Sequence, residues 1–163
     1  MHFSISAALG SYEIRFMFCG ENSGMKLVDF DNLCVAFAKT HSAFIKSDGL
    51  DAVKNALKNG TCVIESASAK NWIAPFFENL VQKDSIEYLT TELETDENNF
   101  LTGKFSTPNC KGIEKVRRIK ERFPERKKYT LTAYGDRGGR QRNARFCGQW
   151  ILSLFSWKTE TLA

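Results

Sequence analysis

Short apolar strands alternate with amphipathic helices along the middle of this chain, and this alternation constrains its fold more than any other feature. The run Thr61-Cys62-Val63-Ile64 is compact and β-prone, and it follows Asn59-Gly60, a typical helix end. Apolar residues then recur at three- and four-residue steps over residues 69–81, which predicts a helix. The same criteria predict strands at 85–94 and 129–134, a hairpin partner at 100–105 and a helix at 109–123. The alternation predicts an α/β fold with a parallel sheet and helices on both faces.

Two further helices are predicted before the Thr61 strand. Apolar residues recur mostly at helical spacing over residues 29–45, with Asp29 placed as the N-cap. Residues 51–57 are predicted to form a second, shorter helix that Asn59-Gly60 terminates. A helix, a glycine stop and a buried strand together make half of a βαβ unit.

The composition is that of a single soluble domain. The chain has 163 residues, of which 42% are apolar and 26% charged, and this length supports one hydrophobic core. Charges or amides interrupt every apolar stretch before the roughly 18 residues that a membrane helix needs. The apolar patch in residues 1–8 has no Lys or Arg ahead of it, so we expect no signal peptide. Five widely spaced cysteines without a C-x-x-C pair favour reduced thiols and a cytoplasmic location.

Positive charge is concentrated after residue 110. The chain has 23 Lys and Arg against 19 Asp and Glu, and residues 111–128 hold much of the excess. Such a run could contact a phosphate backbone. One alternative function is therefore a binding module that uses residues 115–128 to contact nucleic acid or an acidic partner. Interleaved acids, such as Glu114 four residues before Arg118, favour instead a solvated helix face with ion pairs. We therefore do not expect a nucleic-acid partner.

Three predicted loops follow strands, where the carboxyl ends of a parallel sheet gather functional groups. The first, residues 65–68, carries Ser66, which suits either an anion site or the capping of the next helix. The second, residues 107–112, carries Lys111 at a predicted helix start, where the helix dipole does not favour a cation. A bound anion or plain exposure would each account for it. The third, residues 135–140, carries Asp136, which suits a hard-cation ligand or a turn cap.

Five segments around these loops share a pattern with a known family. They are residues 63–75 (VIESASAKNWIAP), 91–94 (TELE), 101–105 (LTGKF), 109–115 (NCKGIEK) and 133–136 (AYGD). Together they resemble the haloacid dehalogenase-like hydrolases, in the branch that includes phosphoserine phosphatase. The resemblance is specific over residues 50–136, weaker over 12–44 and absent after Asp136. It implies a Rossmann-like core with a helical cap and a phosphomonoester as substrate.

The resemblance also implies roles for individual residues. In this family one aspartate attacks the phosphomonoester to form an aspartyl-phosphate, a second acts as acid and base, and magnesium offsets the charge. By resemblance, Ser66 and the backbone N–H of Ala67 would hold the phosphoryl oxygens, Lys111 would neutralise the phosphoryl charge, and Asp136 would ligate magnesium. Oriented donors, a point cation and a hard oxygen ligand all stabilise charge on a transferring phosphoryl group.

The nucleophile motif of the family has no clear counterpart. It is Asp-x-Asp followed, one residue later, by Thr or Val, and it closes the first, central strand. The one candidate is Asp29-Phe30-Asp31-Asn32-Leu33, which has Leu33 in place of Thr or Val and continues in helical register. We therefore expect the first strand to be missing and the chain to be a catalytically impaired fragment. An intact small phosphatase with Asp29 as nucleophile and Asp31 as acid/base is the alternative.

The resemblance divides the chain into three ranges. Residues 1–48 are predicted to be a partial helical cap truncated at its N-terminus, residues 49–136 the α/β core, and residues 137–163 a tail without family character. Arg140 stands about where the family has a further aspartate, so magnesium binding is expected to be weakened. A shift of reading frame near residues 137–139, with suitable synonymous codons, would restore a family-like peptide. The coding DNA tests this hypothesis.

Overall fold

A five-stranded parallel sheet forms the centre of the protein. The structure is a computed structural model that describes residues 2–6, 22–45, 47–78, 86–125, 128, 130–135 and 149–152. The strands are β1 (His2–Ser6), β2 (Thr61–Ala69), β3 (Ile86–Thr91), β4 (Leu93–Thr95), β5 (Leu101–Phe105), β6 (Leu131–Gly135) and β7 (Gln149–Leu152). The large sheet has the order β3-β2-β1-β6-β7, and each neighbouring pair is parallel. The predicted α/β class with a parallel sheet is confirmed.

Five α-helices lie within the described residues. They are α1 (Leu27–Thr40), α2 (Ser47–Asn59), α3 (Lys70–Ile73), α4 (Pro75–Glu78) and α5 (Ile113–Arg122), with a 3-10 turn at Ser42–Phe44. The helix predicted over 69–81 is thus two short helices, and residues 79–81 lie outside the described residues. The break falls at Pro75, which has no N–H to continue a helix but suits the first helical position of α4. None of the described helices has the length and apolar content to cross a bilayer.

The expectation that the first, central strand is missing is wrong. β1 lies between β2 and β6, with Ser6 in register with Glu65 and Ile5 in register with Tyr134. Because both edges of β1 are paired, the sheet has no gap at its centre. Five residues with only two large apolar side chains, Phe3 and Ile5, give too short a pattern to identify such a strand from the sequence alone.

One face of the sheet carries a continuous apolar core. Successive side chains of a strand point to opposite faces, and from β2 this face receives Cys62 and Ile64. The helices α1 to α4 cover it and bury the following side chains: Phe30, Cys34, Ala38, Val53, Ala56, Trp72, Ile73, Phe76 and Phe77. α1, from the range predicted as a cap, therefore packs into the same core as β2.

The opposite face is covered by α5. The alternation of β2 directs Val63 and Glu65 to this side, and both are buried. α5 buries Lys115 and Ile119, and Phe123 just beyond its end is buried as well. These three residues are four apart and so form one stripe of the helix. The stripe is apolar at its C-terminal end and charged at its N-terminal end, beside the carboxyl end of β2.

The predicted hairpin is confirmed. β4 pairs antiparallel with β5, with Leu93 opposite Phe105 and Thr95 opposite Leu101. At the turn, the Asp96 carboxylate accepts hydrogen bonds from the backbone N–H groups of Asn98 and Phe100, each at 2.9 Å. The hairpin follows β3 directly and leads into residues 106–112, the segment that carries Lys111.

Candidate functional site

The segment around Ser66 is extended chain and not the predicted loop. Residues 65–68 belong to β2, but the pairing with β3 jumps from Ser66–Thr90 to Ala69–Thr91. Ala67 and Ser68 consequently have no register partner on β3, as in a β-bulge, a feature common beside functional sites.

The hydroxyl of Ser66 orders this bulge and does not cap a helix. Its Oγ accepts a hydrogen bond from the backbone N–H of Ser68 at 3.1 Å. The N-cap residue of α3 is Ala69, and no side chain caps that helix. A hydroxyl that accepts one bond can still donate its own hydrogen, so Ser66 keeps the ability to bind an oxyanion.

A second hydroxyl, that of Thr91, joins the two predicted loops. Its Oγ1 donates to the carbonyl oxygen of Ala67 at 2.8 Å and accepts from the backbone N–H of Cys110 at 2.9 Å. Thr91 is fully buried at the end of β3. This bridge brings the Ser66–Ala67 segment beside the residue that precedes Lys111. Thr91 was not predicted as a site residue, although a polar residue that ends a buried strand was a usable signal.

The predicted phosphate-site residues differ in exposure. Ser66 is only 1% exposed, Ala67 is half-buried, and Lys111 is exposed. A ligand held by all three would therefore be small, with its anionic group inserted toward the sheet and neutralised from the outside by the lysine.

Lys115 is a buried cation that sequence reasoning missed. Its side chain is 8% exposed, and its Nζ donates to the carbonyl oxygen of Glu65 at 2.8 Å. The density of basic residues after residue 110 predicts an exposed basic run that includes Lys115. The usable signal was the four-residue spacing from Lys115 to Ile119 and Phe123, which puts the lysine on the apolar stripe of α5.

Arg118 lies one turn further along α5 and contacts two other segments. Its guanidinium donates to the carbonyl oxygen of Thr90 at 2.5 Å and to that of Pro108 at 2.7 Å. Its Nε also donates to the Glu114 carboxylate at 2.9 Å, which is the i, i+4 pair expected from the sequence. Hydrogen bonds from Arg117 and Arg118 lower the pKa of Glu114 to about 2.

The Cys110 thiol sits among these charges. Its pKa is raised to about 11, first by burial and then by the nearby Glu65 carboxylate, while Lys115 and Arg118 act in the opposite direction. Its Sγ donates to the carbonyl oxygen of Leu89 at 3.2 Å. The thiol is therefore protonated at neutral pH and serves to pack the loop, because the thiolate is the reactive form of cysteine.

Asp29 and Asp31 lie in α1 and not at the end of the central strand. Asp29 is exposed in the first turn of the helix. Asp31 accepts a hydrogen bond from the Asn71 amide at 2.6 Å and so ties α1 to α3. The alternative in which this pair closes the first strand as nucleophile and acid/base has no support in the geometry, because β1 occupies that place.

The end of β1 carries no carboxylate. The strand is His2-Phe3-Ser4-Ile5-Ser6, and the sequence has no Asp or Glu before Glu13. β1 and β2 run parallel with Ser6 beside Glu65, so the residue before the serine segment is next to the end of the central strand. Asp136 follows the last residue of β6 in the sequence and lies outside the described residues.

The sequence model of the haloacid dehalogenase-like hydrolases matches residues 6–138. The chain belongs to this family. The match covers β2 to β6 together with their connections, and it ends within two residues of Asp136, where the resemblance read from the sequence also stops. β7, which lies in the stretch predicted to be a tail, extends the sheet beyond the matched range. None of the curated proteins matches the chain significantly.

Two solved structures are similar to this haloacid dehalogenase-like chain. A protein of unknown function from Bordetella pertussis Tohama I has a TM-score of 0.65 at 16% identity over 90% of this chain and 76% of its own. A probable phosphoserine phosphatase from Vibrio cholerae has a TM-score of 0.49 at 12% identity over 93% of this chain and 56% of its own. At these identities the first similarity establishes the fold alone.

The described residues do not fit the magnesium site that the family implies. Within that part of the chain no group of three or more His, Cys, Asp or Glu side chains could hold a metal ion. β1 supplies no carboxylate, and Glu65, the carboxylate beside it, is fully buried on the α5 face. Magnesium prefers several oxygen ligands in octahedral geometry.

Proposed function

We propose that this chain binds a small phosphorylated ligand at the carboxyl end of β2 and does not hydrolyse it efficiently. The observation that carries the proposal is the pairing of a retained serine segment with a central strand that ends without a carboxylate. The serine segment supplies the anion contacts, and the missing carboxylate removes the aspartyl-phosphate step of the family.

The chemistry of the binding site rests on three residues. The Ser66 hydroxyl and the Ala67 N–H would donate to two phosphoryl oxygens, and the Lys111 ammonium would neutralise the charge from outside. The Thr91 bridge supports the proposal because it holds the Ser66–Ala67 segment against the Lys111 segment. We propose a phosphomonoester of the phosphoserine type as the ligand, on the strength of the resemblance.

The proposed site does not require magnesium for phosphate binding. Asp136 is the ligand that the resemblance assigns, and Arg140 stands about where a further carboxylate is expected. A cation at that position opposes metal binding. We therefore expect phosphate binding to depend little on magnesium. We also propose a cytoplasmic location, which the buried free thiols of Cys34, Cys62 and Cys110 support.

Calorimetric titration with inorganic phosphate and with O-phosphoserine tests the binding. Lys111→Met should weaken phosphate binding about tenfold to a hundredfold, because a hydrogen bond to a charged group contributes about 1.5–3 kcal/mol. Lys58→Met is the matched control, because it removes the same charge from an exposed residue away from the site. Lys58 lies near the C-terminal end of α2, just before β2 begins, and so at the amino end of that strand. Equal affinities in the two variants would contradict the proposed site.

Hydrolysis of p-nitrophenyl phosphate with magnesium tests the loss of turnover. The expected result is no release above the uncatalysed background. Magnesium-dependent hydrolysis that disappears in Asp29→Asn would contradict the proposal and establish the phosphatase with Asp29 as nucleophile. Hydrolysis that survives Asp29→Asn would also contradict it and would require a nucleophile elsewhere in the chain.

A further inference from the structure

Two basic side chains of α5 bond to backbone carbonyls at the edge of the sheet that carries the candidate site. Lys115 Nζ donates to Glu65 O at 2.8 Å, and Arg118 donates to Thr90 O at 2.5 Å and Pro108 O at 2.7 Å. The two residues are three positions apart and so lie on the same side of the helix. One helix thus contacts β2, β3 and the segment before Lys111.

Each of these carbonyls lies close in sequence to a group of the candidate site. Glu65 precedes Ser66, Thr90 precedes Thr91, and Pro108 lies three residues before Lys111. Fixing a carbonyl fixes its peptide plane and restricts the next residue. The bonds from α5 therefore orient the Ser66–Ala67 segment and the Lys111 segment without touching a ligand themselves.

The burial of Lys115 indicates that this arrangement is specific. Moving an ammonium group out of water is costly unless charge and hydrogen bonds compensate it. The backbone carbonyl of Glu65 supplies such a hydrogen bond to Lys115 Nζ. An apolar residue on the same stripe would pack against the sheet but could not hold that carbonyl.

Arg118 is held in place by a second contact. Glu114 binds its Nε, and the remaining nitrogens then point to the two carbonyls. A guanidinium presents its donors in a planar fork, whereas a lysine ammonium is a single point donor. Arg118→Lys would therefore keep the charge and lose the simultaneous contact with β3 and residue 108.

We propose that Lys115 and Arg118 are positioning residues that hold the β2 and Lys111 segments in the arrangement that binds phosphate. The proposal rests on the proposed function. It predicts that loss of either side chain weakens phosphate binding because the backbone of the β2 and Lys111 segments becomes less ordered. Loss of Lys111, in contrast, weakens binding because a positive charge is removed. The two kinds of residue are separable because only the positioning residues should alter amide exchange in the ligand-free protein.

The test compares Arg118→Lys with Arg117→Lys. Arg117 is the matched control, since it lies on the same helix, is exposed, and bonds to the carboxylates of Glu114 and Glu121. Amide hydrogen exchange of the ligand-free protein and calorimetric titration with inorganic phosphate are measured where each variant is fully folded. We expect Arg118→Lys to raise exchange at residues 90–91 and 109–111 and to weaken phosphate binding about tenfold, with neither change in Arg117→Lys.

The outcomes separate the two proposals. If the wild-type protein does not bind phosphate, the proposed function is overturned and the positioning role falls with it. If the wild-type protein binds phosphate and the two variants bind it equally, the positioning role alone is overturned. Lys115→Met should raise exchange at residues 65–68 in the same way. If that variant does not fold, the Arg118 and Arg117 pair decides.

Discussion

The two faces of the parallel sheet are built on different principles. The face under α1 to α4 is a continuous apolar core that includes Phe30, Ile64 and Phe77. The face under α5 is apolar only at the C-terminal end of the helix and is charged near the carboxyl end of β2, where Lys115 bonds to the Glu65 carbonyl and Arg118 to the Thr90 carbonyl. The apolar face stabilises the fold without directional contacts, whereas the charged end fixes individual peptide groups.

This difference separates stability from site geometry. Burial on the apolar face tolerates small shifts of the backbone, because the hydrophobic effect depends on area and not on direction. The hydrogen bonds under α5 fail when a donor moves by an ångström. Substitutions on the two faces should therefore have distinguishable signatures, one in global unfolding and the other in local order and ligand binding.

The largest loss of stability is expected from a substitution on the apolar face. Phe77 is almost fully buried, so Phe77→Ala should lower the free energy of unfolding by about 3–5 kcal/mol through lost burial and a cavity. Phe105→Ala is the control, because Phe105 is 43% exposed on the hairpin. Urea denaturation checks the difference, and similar losses in the two variants would show that the core does not lie where the structure places it.

A smaller and more local effect is expected at Thr91. Thr91→Val keeps the shape but removes the hydroxyl, which leaves Ala67 O and Cys110 N–H without this partner and should cost about 1–3 kcal/mol. Amide exchange at Cys110 should rise in Thr91→Val and stay low in Thr91→Ser, which retains the hydroxyl. Unchanged exchange in both variants would mean that Thr91 does not join the two segments.

The smallest effect on the free energy of unfolding is expected from the protonation of Glu114 at low pH. Its ordinary pKa of 4.5 is lowered to about 2 in the folded protein, first by the bond from Arg117 and then by that from Arg118. A lowered pKa means that this contribution to stability is present above about pH 4.5 and is lost as the pH falls toward 2. Urea unfolding over that range should vary less steeply in Glu114→Gln, and a variant as steep as wild type would contradict the ion pair.

The alternation of strands and helices was predictable from the sequence because each element carries its own periodicity. The hairpin at 100–105 and the amphipathic α1 were found from such local patterns. β1 was missed because a five-residue strand is defined by its two neighbours, which pair with it over a long sequence separation. Pro75 and Gly112, which has a φ of 60°, set the true helix boundaries at two points where periodicity alone continued the helix.

The site was only partly predictable, for the same physical reason. Ser66 and Lys111 were predicted as site residues because the family motif places them after strands. Thr91 and Lys115 act through contacts with residues 24 and 50 positions away. Local patterns mark Thr91 as a polar strand end and Lys115 as part of the apolar helix stripe, but they do not identify the distant partners. Glu65, an acidic residue in a buried strand, takes part in one of these contacts, since its backbone carbonyl accepts a hydrogen bond from Lys115 Nζ.

Titration of the ¹⁵N-labelled chain with inorganic phosphate, followed by amide chemical shifts, tests the central claim most directly. The account predicts saturable shifts at Ser66, Ala67 and Lys111, at the carboxyl end of β2 and the segment that Thr91 joins to it. Shifts confined to the exposed basic side of α5, or no saturable shifts at all, would contradict a phosphate site at this edge of the sheet.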